Sequence, residues 1–193
     1  MSANPELTPG ESCVLALLVE RPRHGWGLAA LLAREGELGT IWSMARPLVY
    51  TSLRRLEAAG YARTAGLERG ERGPHRVIFE ATPQGRKATR AWLREPVEHV
   101  RDIRSLFLLK VVLAQRLRID LEPLLVRQRA LMTPFVAWLE ARLEDVDASA
   151  DPTEATVLSF RLETAQTTIR FIDHMLDTMG GRKPRARRPP RVT

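Results

Sequence analysis

The feature that most constrains this chain is a change of apolar period between Thr8 and Ala81. Helical spacing recurs three times, each time cut off by Gly or Pro, and then gives way to strict alternation. A segment with helical spacing does not bury well as a strand, and an alternating one does not bury well as a helix. Thr8-Pro9-Gly10-Glu11 opens the first helix: Thr8 as cap, Pro9 in the first turn, and Glu11 reaching back to close a capping box. Its apolar run, Cys13 to Val19, stops at Pro22. A second helix is predicted from Gly25 to Glu35 with Leu28, Leu31 and Leu32 on one face, and Gly36 as terminator. A third runs from Arg46 to Ala59, ends at Gly60, and turns Val49, Leu53 and Leu56 inward. Tyr61 to Leu67 and His75 to Ala81 then read as two strands joined by the charged loop Glu68 to Pro74. Thr82-Pro83 starts another helix, which runs through Trp92 and Leu93 to Pro96.

The rest of the chain reads as helices. Val100 to Leu117 is apolar almost all round, which predicts burial on more than one side. Asp120 caps a helix with the seam Leu121, Leu125, Gln128, Met132, Phe135 and Leu139. Asp151-Pro152-Thr153-Glu154 opens the last one, whose 4-3 seam is Leu158, Leu162, Ala165, Ile169, Ile172, Leu176 and Met179. That helix has a second stripe: Val157, Phe160, Phe171 and Met175. One stripe can serve the chain's own core while the other meets a partner. Two helices alone bury little, so a homodimer is predicted, with Leu158, Leu162, Ala165, Ile169, Ile172 and Leu176 as its interface. The alternative is a monomeric helical hairpin folded back on the N-terminal domain.

The expected organisation is a disordered N-terminus (1–6), a DNA-binding domain (7–95), a helical dimerisation domain (96–179) and a disordered basic tail (180–193). Charge follows that division. Residues 1–95 hold fourteen Lys/Arg against ten Asp/Glu, residues 96–180 ten against thirteen, and the last thirteen residues six against none, within a net charge of +7. Only the first and last segments suit a polyanion. The tail cations Arg182, Lys183, Arg185, Arg187, Arg188 and Arg191 could add to DNA affinity or simply solubilise the chain.

Cys13 is the single cysteine, so no intrachain disulfide can form, and its place in an apolar helix favours an inert thiol over a redox sensor. No apolar run reaches the roughly 18–20 residues that span a bilayer. Met1–Glu6 lacks the pattern of a signal peptide, so a cytoplasmic protein without membrane partners is expected. No phosphate loop, nucleophile elbow or metal-ligand spacing is present. His24, His75, His99 and His174 are scattered, and His174 with Asp177 reads as a surface pair. Neither catalysis, a metal nor a cofactor is predicted.

Three helices followed by a charged hairpin is the order of a winged helix-turn-helix. The fold class is therefore mainly α: an N-terminal winged helix-turn-helix of three helices plus a two-stranded wing, then a C-terminal α-helical dimerisation domain. The residues also resemble the PadR-like transcriptional regulators. Pro22-Arg23-His24-Gly25-Trp26-Gly27-Leu28 looks like that family's entry to the second helix, and Ile41-Trp42 with Val49 to Gly60 looks like its recognition segment. Gly73-Pro74-His75-Arg76 and Phe79 to Gly85 look like the second wing strand and its exit. The resemblance is specific over about residues 7–95 and looser over 96–179. Two positions depart from the pattern. Ala45 stands where Ser or Thr often starts the recognition helix, and Leu48 where a polar residue is usual.

With Val49, Leu53 and Leu56 inward, the opposite face carries Pro47, Leu48, Thr51 and Arg55, flanked by Ser52 and Arg54, with Arg46 in the first turn. A helix fits the major groove of double-stranded DNA, where Arg46 or Arg55 can grip a guanine and Leu48 can pack on a thymine methyl. Tyr50 serves either as packing or as a phosphate contact. Arg69, Arg72 and Arg76 of the wing would reach phosphates or the minor groove, adding affinity with little sequence information. Two copies joined by the C-terminal helices would present two recognition helices to one face of the duplex, so an inverted-repeat operator is expected. The resemblance implies that binding represses transcription and that a small aromatic or planar effector alters the angle between the two DNA-binding domains. Trp92 and Trp138 are candidate effector contacts, with core packing as the competing role. The rival function is a winged module that docks a protein without sequence-specific DNA binding.

Overall fold

The computed structural model describes residues 7–70, 73–146 and 151–180, without the side chains of 68–70, 73–75 and 180. The expectations for residues 1–6 and for the tail beyond 180 lie outside that range. The chain divides into two compact units, Met1–Leu124 and Leu125–Thr193. The described residues are mainly helical with one small antiparallel sheet.

Helix α1 (Pro9–Glu20) is the centre of the first unit. Its start is the expected capping box: the Thr8 hydroxyl accepts the Glu11 N–H at 3.3 Å, and the Glu11 carboxylate accepts the Thr8 N–H at 2.9 Å. Every residue from Cys13 to Leu18 is 0% exposed. A helix buried all round needs neighbours on every side, and α1 has α3, α4, strand β3 and α5. Each fully buried Leu or Val there contributes on the order of 1.5–3 kcal/mol.

Strand β1 (Arg23–His24) and α2 (Gly25–Leu32) follow without a break. The His24 ring caps α2, its Nδ1 accepting the Gly27 N–H at 2.8 Å. Helix α2 stops at Leu32 rather than Glu35. Ala33 is already extended, and Gly36 folds so close over the helix end that a Cβ there would stand 2.2 Å from the Ala30 carbonyl oxygen. Helix α3 (Arg46–Ala58) buries Val49, Leu53 and Leu56 as its period predicts. Gly60, at φ +75°, ends it in the left-handed region that glycine occupies most cheaply.

Strands β2 (Ala62–Gly70) and β3 (Gly73–Ala81) form the hairpin. The sheet has three strands rather than two, in the order β1-β3-β2, because Arg23 pairs with Phe79 and His24 with Ile78. A two-residue strand carries too little alternation to be read from sequence. Thr82 then caps α4 (Pro83–Trp92), its hydroxyl accepting the Gly85 N–H at 3.1 Å.

The segment expected as one helix from Val100 to Leu117 is built in three pieces. A 3₁₀ turn (Val100–Asp102) leads into a π turn (Ile103–Phe107), then into α5 (Leu108–Arg116). A π turn carries an extra residue and resets the phase of the apolar face. Phe107, Leu109, Val111, Leu113 and Ala114 are all buried as a result. The first unit continues past residue 95 because α5 packs on α1 and its Arg116 chelates Glu20 at 3.0 and 3.2 Å. Lys110, 3% exposed, donates to the Glu95 carbonyl at 2.8 Å and lies 4.9 Å from the Trp92 ring centroid. Burial pushes its amine down to about 8, against the opposing pull of Glu95.

The second unit is an antiparallel pair made by α6 (Glu122–Glu144), from Leu125 on, and α7 (Pro152–Gly180). Asp151 caps α7, accepting the Glu154 N–H at 2.8 Å. Leu125, Gln128, Met132 and Leu139 of α6 and Leu158, Ala165, Thr168 and Ile172 of α7 are buried. Arg129–Asp173, Glu140–Gln166 and Arg142–Glu154 bridge the pair along its length.

Three outcomes follow from this packing. A Cβ at Gly85 would stand 2.1 Å from the Tyr61 carbonyl oxygen and 3.0 Å from Leu15, so Gly85→Ala should cost about 1–3 kcal/mol in urea unfolding; an unchanged midpoint would contradict the close approach. Burial raises the Cys13 thiol to about 12, so a thiol reagent at neutral pH should label the unfolded chain and leave the native one unmodified. The native Lys110 releases its proton near 8, below the unfolded value of about 10.4. Between these two values the unfolded chain binds more protons, and stability rises with pH. That rise should vanish in Lys110→Met, and identical pH profiles for the two proteins would refute it.

Candidate nucleic-acid interface

The outward face of α3 is where the sequence placed the DNA-reading side chains. Arg46, Pro47, Leu48, Tyr50, Arg54 and Arg55 are exposed, and Thr51 is half-buried. Ser52 is 6% exposed: at 100° per residue it turns toward the core with Val49 and Leu56, and it is not part of the reading face. Leu48 is 57% exposed. Ala45 caps nothing with its side chain, as its chemistry requires.

Tyr50 is both packed and exposed. Its ring closes on Gly25, where a Cβ would stand 2.7 Å from Cε1, yet 39% of the residue remains exposed. The Arg46 guanidinium lies 5.8 Å from the ring centroid. Arg54 donates to the Thr51 hydroxyl at 3.3 Å, one turn back on the same helix.

Arg55 has a partner that sequence reasoning missed. Its guanidinium donates to Glu11 Oε1 at 3.2 Å, while Oε2 of the same carboxylate holds the Thr8 N–H. Burial would push the Glu11 carboxyl up, but the Thr8 hydrogen bonds and then Arg55's bond and charge outweigh it and hold the group below its ordinary range. The Arg55 side chain keeps 67% of its surface, so it presents a cation whose base is already oriented. Glu11 was legible as a capping residue; nothing local shows that α3 would pass beside it 44 residues later.

On the wing, Arg76 is exposed and lies over the Trp26 ring, 5.4 Å from its centroid. Arg69 is described only as strand backbone, and Arg72 lies outside the described residues. The cross-strand pair Arg63–Glu80, at 2.6 Å, neutralises the base of the hairpin.

The remaining candidates belong to other surfaces. Of the expected dimer seam, Leu158, Ala165 and Ile172 are buried inside the chain's own helix pair, and Leu162, Ile169 and Leu176 are half-buried. The open stripe of α7 is the second one, with Val157 51%, Phe160 73% and Phe171 40% exposed. Trp92 is half-buried beneath Lys110. Trp138 is 52% exposed, stacks on Phe135 at 5.9 Å, and borders a trough with Arg142 and Arg161. Among the described residues no group of three or more His, Cys, Asp or Glu is placed to hold a metal, and no helix is long and apolar enough to cross a membrane.

Comparison with known proteins gives a family match over residues 14–91, to the transcriptional regulator PadR-like family. No curated protein matches the chain. Among solved structures, PadR of Bacillus subtilis in complex with operator DNA aligns at a TM-score of 0.46 and 18% identity, covering 90% of this chain and 99% of that one. The PadR-like transcriptional regulator BC1756 from Bacillus cereus aligns at 0.41 and 17%, covering 92% and 99%. The protein smu.1604c from Streptococcus mutans UA159 aligns at 0.41 and 16%, covering 87% and 98%. The matched segment takes in most of α1, all of α2 and α3 and the sheet, and over residues 14–91 the chain is similar to the transcriptional regulator PadR-like family.

Proposed function

We propose that this protein is a homodimeric transcriptional repressor that reads an inverted-repeat operator through α3 and grips the flanking backbone through its wing. The observation that carries the reading is the surface of α3. One face is fully buried through Val49, Leu53 and Leu56, and the other offers Leu48, Tyr50, Thr51, Arg54 and Arg55 together. A helix held rigidly on one side and bearing cations and a free apolar side chain on the other suits the major groove. A module that docks a protein would more often present an apolar patch than this Arg-bearing face.

Dimerisation is assigned to the exposed stripe of α7, Val157, Phe160 and Phe171, because half of the other seam is already consumed within the chain. Two copies joined there would set two α3 helices on one face of the duplex, with half-sites about one helical turn apart. For the small aromatic effector implied by the resemblance, Trp138 is the accessible contact and Trp92 is covered by Lys110.

Duplexes selected by the protein from a random pool should contain an inverted repeat, and Arg54→Ala should weaken the selected site by about 1–3 kcal/mol while changing non-specific binding far less. Arg54 is the sharper probe than Arg55, whose loss also frees Glu11. Selection of no common sequence, or an unchanged affinity in Arg54→Ala, would overturn the reading face. In sedimentation, Phe160→Asp should convert a dimer to a monomer; a wild-type monomer at every concentration would remove the paired half-sites.

A further inference from the structure

Trp26 is one of the exposed large hydrophobic side chains. It sits in the first turn of α2 beside fully buried Leu28, yet 52% of its surface is open. Its position is nevertheless tightly specified. The His24 ring lies 5.9 Å away at 36°, fixed by its cap on Gly27 and by backbone pairing with Ile78. A Cβ at Gly27 would come within 3.0 Å of that ring. On the Trp26 ring rests Arg76, two residues before Ile78 on the same strand. The stack His24–Trp26–Arg76 thus joins the wing's inner strand to the start of α2.

Beside the stack, α2 presents a trough of about 470 Å³. Trp26 itself lines it, with the small side chains of Ala29, Ala30 and Ala33 and the cations Arg34 and Arg46. Among the described residues no carboxylate lines it. Arg34, Arg46 and Arg76 enter no ion pair among the described residues. The trough runs directly into the first turn of α3 through Ala45 and Arg46. Small side chains between cations let a polyanion approach closely, and in helix-turn-helix docking the helix before the recognition helix crosses the sugar–phosphate backbone.

We propose that the α2 trough seats one sugar–phosphate strand of duplex DNA between Arg34, Arg46 and Arg76, and that Trp26 is the positioning residue that holds Arg76 at its edge. The proposal rests on the DNA-binding reading of α3 but concerns the sequence-independent part of the contact. A guanidinium stacked on an indole retains its outward N–H donors while losing the freedom to swing away.

The test uses the full chain and a duplex of random sequence, with affinity followed across a salt series. Trp26→Ala and Arg76→Ala should each lower the slope of log affinity against log salt by about 0.9, the value of one phosphate contact. The double variant should lose no more than either single one, and Trp26→Phe should restore the slope. Slope losses that add, or a Trp26→Ala protein that binds more weakly with an unchanged slope, would overturn the positioning role. Ala30→Glu guards against a folding artefact, since Ala30 is exposed and lines the trough. It should retain native stability and bind the duplex at least about tenfold more weakly at low salt. Wild-type binding matched by Ala30→Glu would remove the trough alone, whereas a wild type that binds no duplex would remove both the trough and the DNA-binding reading.

Discussion

Everything in the first unit depends on α1 having no solvent side. Residues Cys13 to Leu18 are 0% exposed, and such a helix is stable only if other elements cover its whole circumference. That requirement fixes where α3, α4, β3 and α5 lie, and with them the direction in which α3 presents its outer face. The outward surface of α3 is therefore a by-product of core packing. Val49, Leu53 and Leu56 face the core, and what remains outward is Leu48, Thr51, Arg54 and Arg55. Cavity-forming changes in α1 would destabilise the unit that holds that face.

Glu11 is the point where core and interface meet. One oxygen of its carboxylate closes the start of α1, and the other holds a cation of α3. A surface ion pair is worth little by itself. This one is anchored at its acidic end by burial and a second hydrogen bond, so the carboxylate that its Arg meets is already fixed in place. Arg76 on Trp26 follows the same logic on the wing, with a ring in place of a carboxylate.

Wherever a local rule was strong, the sequence was legible. The capping box at Thr8, the left-handed stop at Gly60, the Thr82 cap and the inward stripe of α3 all depend on neighbours within a few residues. What escaped were events of long range or short extent. Strand β1 is two residues long, so no period could betray it. The Arg55–Glu11 pair joins positions 44 residues apart. Ser52 was placed outside because helical phase was read to the nearest face, and its small side chain turns under instead. On α7 two apolar stripes were visible, but periodicity could not say which would meet α6. The choice fell to Leu158, Ala165 and Ile172, leaving Phe160 in the open. The π turn before α5 is a change of phase within an apolar run, where every residue looks equally suited to burial.

The chelation of Glu20 links parts of the unit that share no hydrogen-bonded backbone. Burial alone would push the Glu20 carboxyl up, but bonds from Arg116 and Arg23 outweigh it and hold it below the ordinary carboxylate range. Arg116 also reaches Glu37 in the segment before α3, while Arg23 is a residue of the strand that pairs with β3. One guanidinium on α5 is thus a rivet through three layers. Any load that displaces α5 must shear these bonds or drag the wing's inner strand and the approach to α3 along with it. For a surface assembled from separate elements, that rivet resists their sliding past one another.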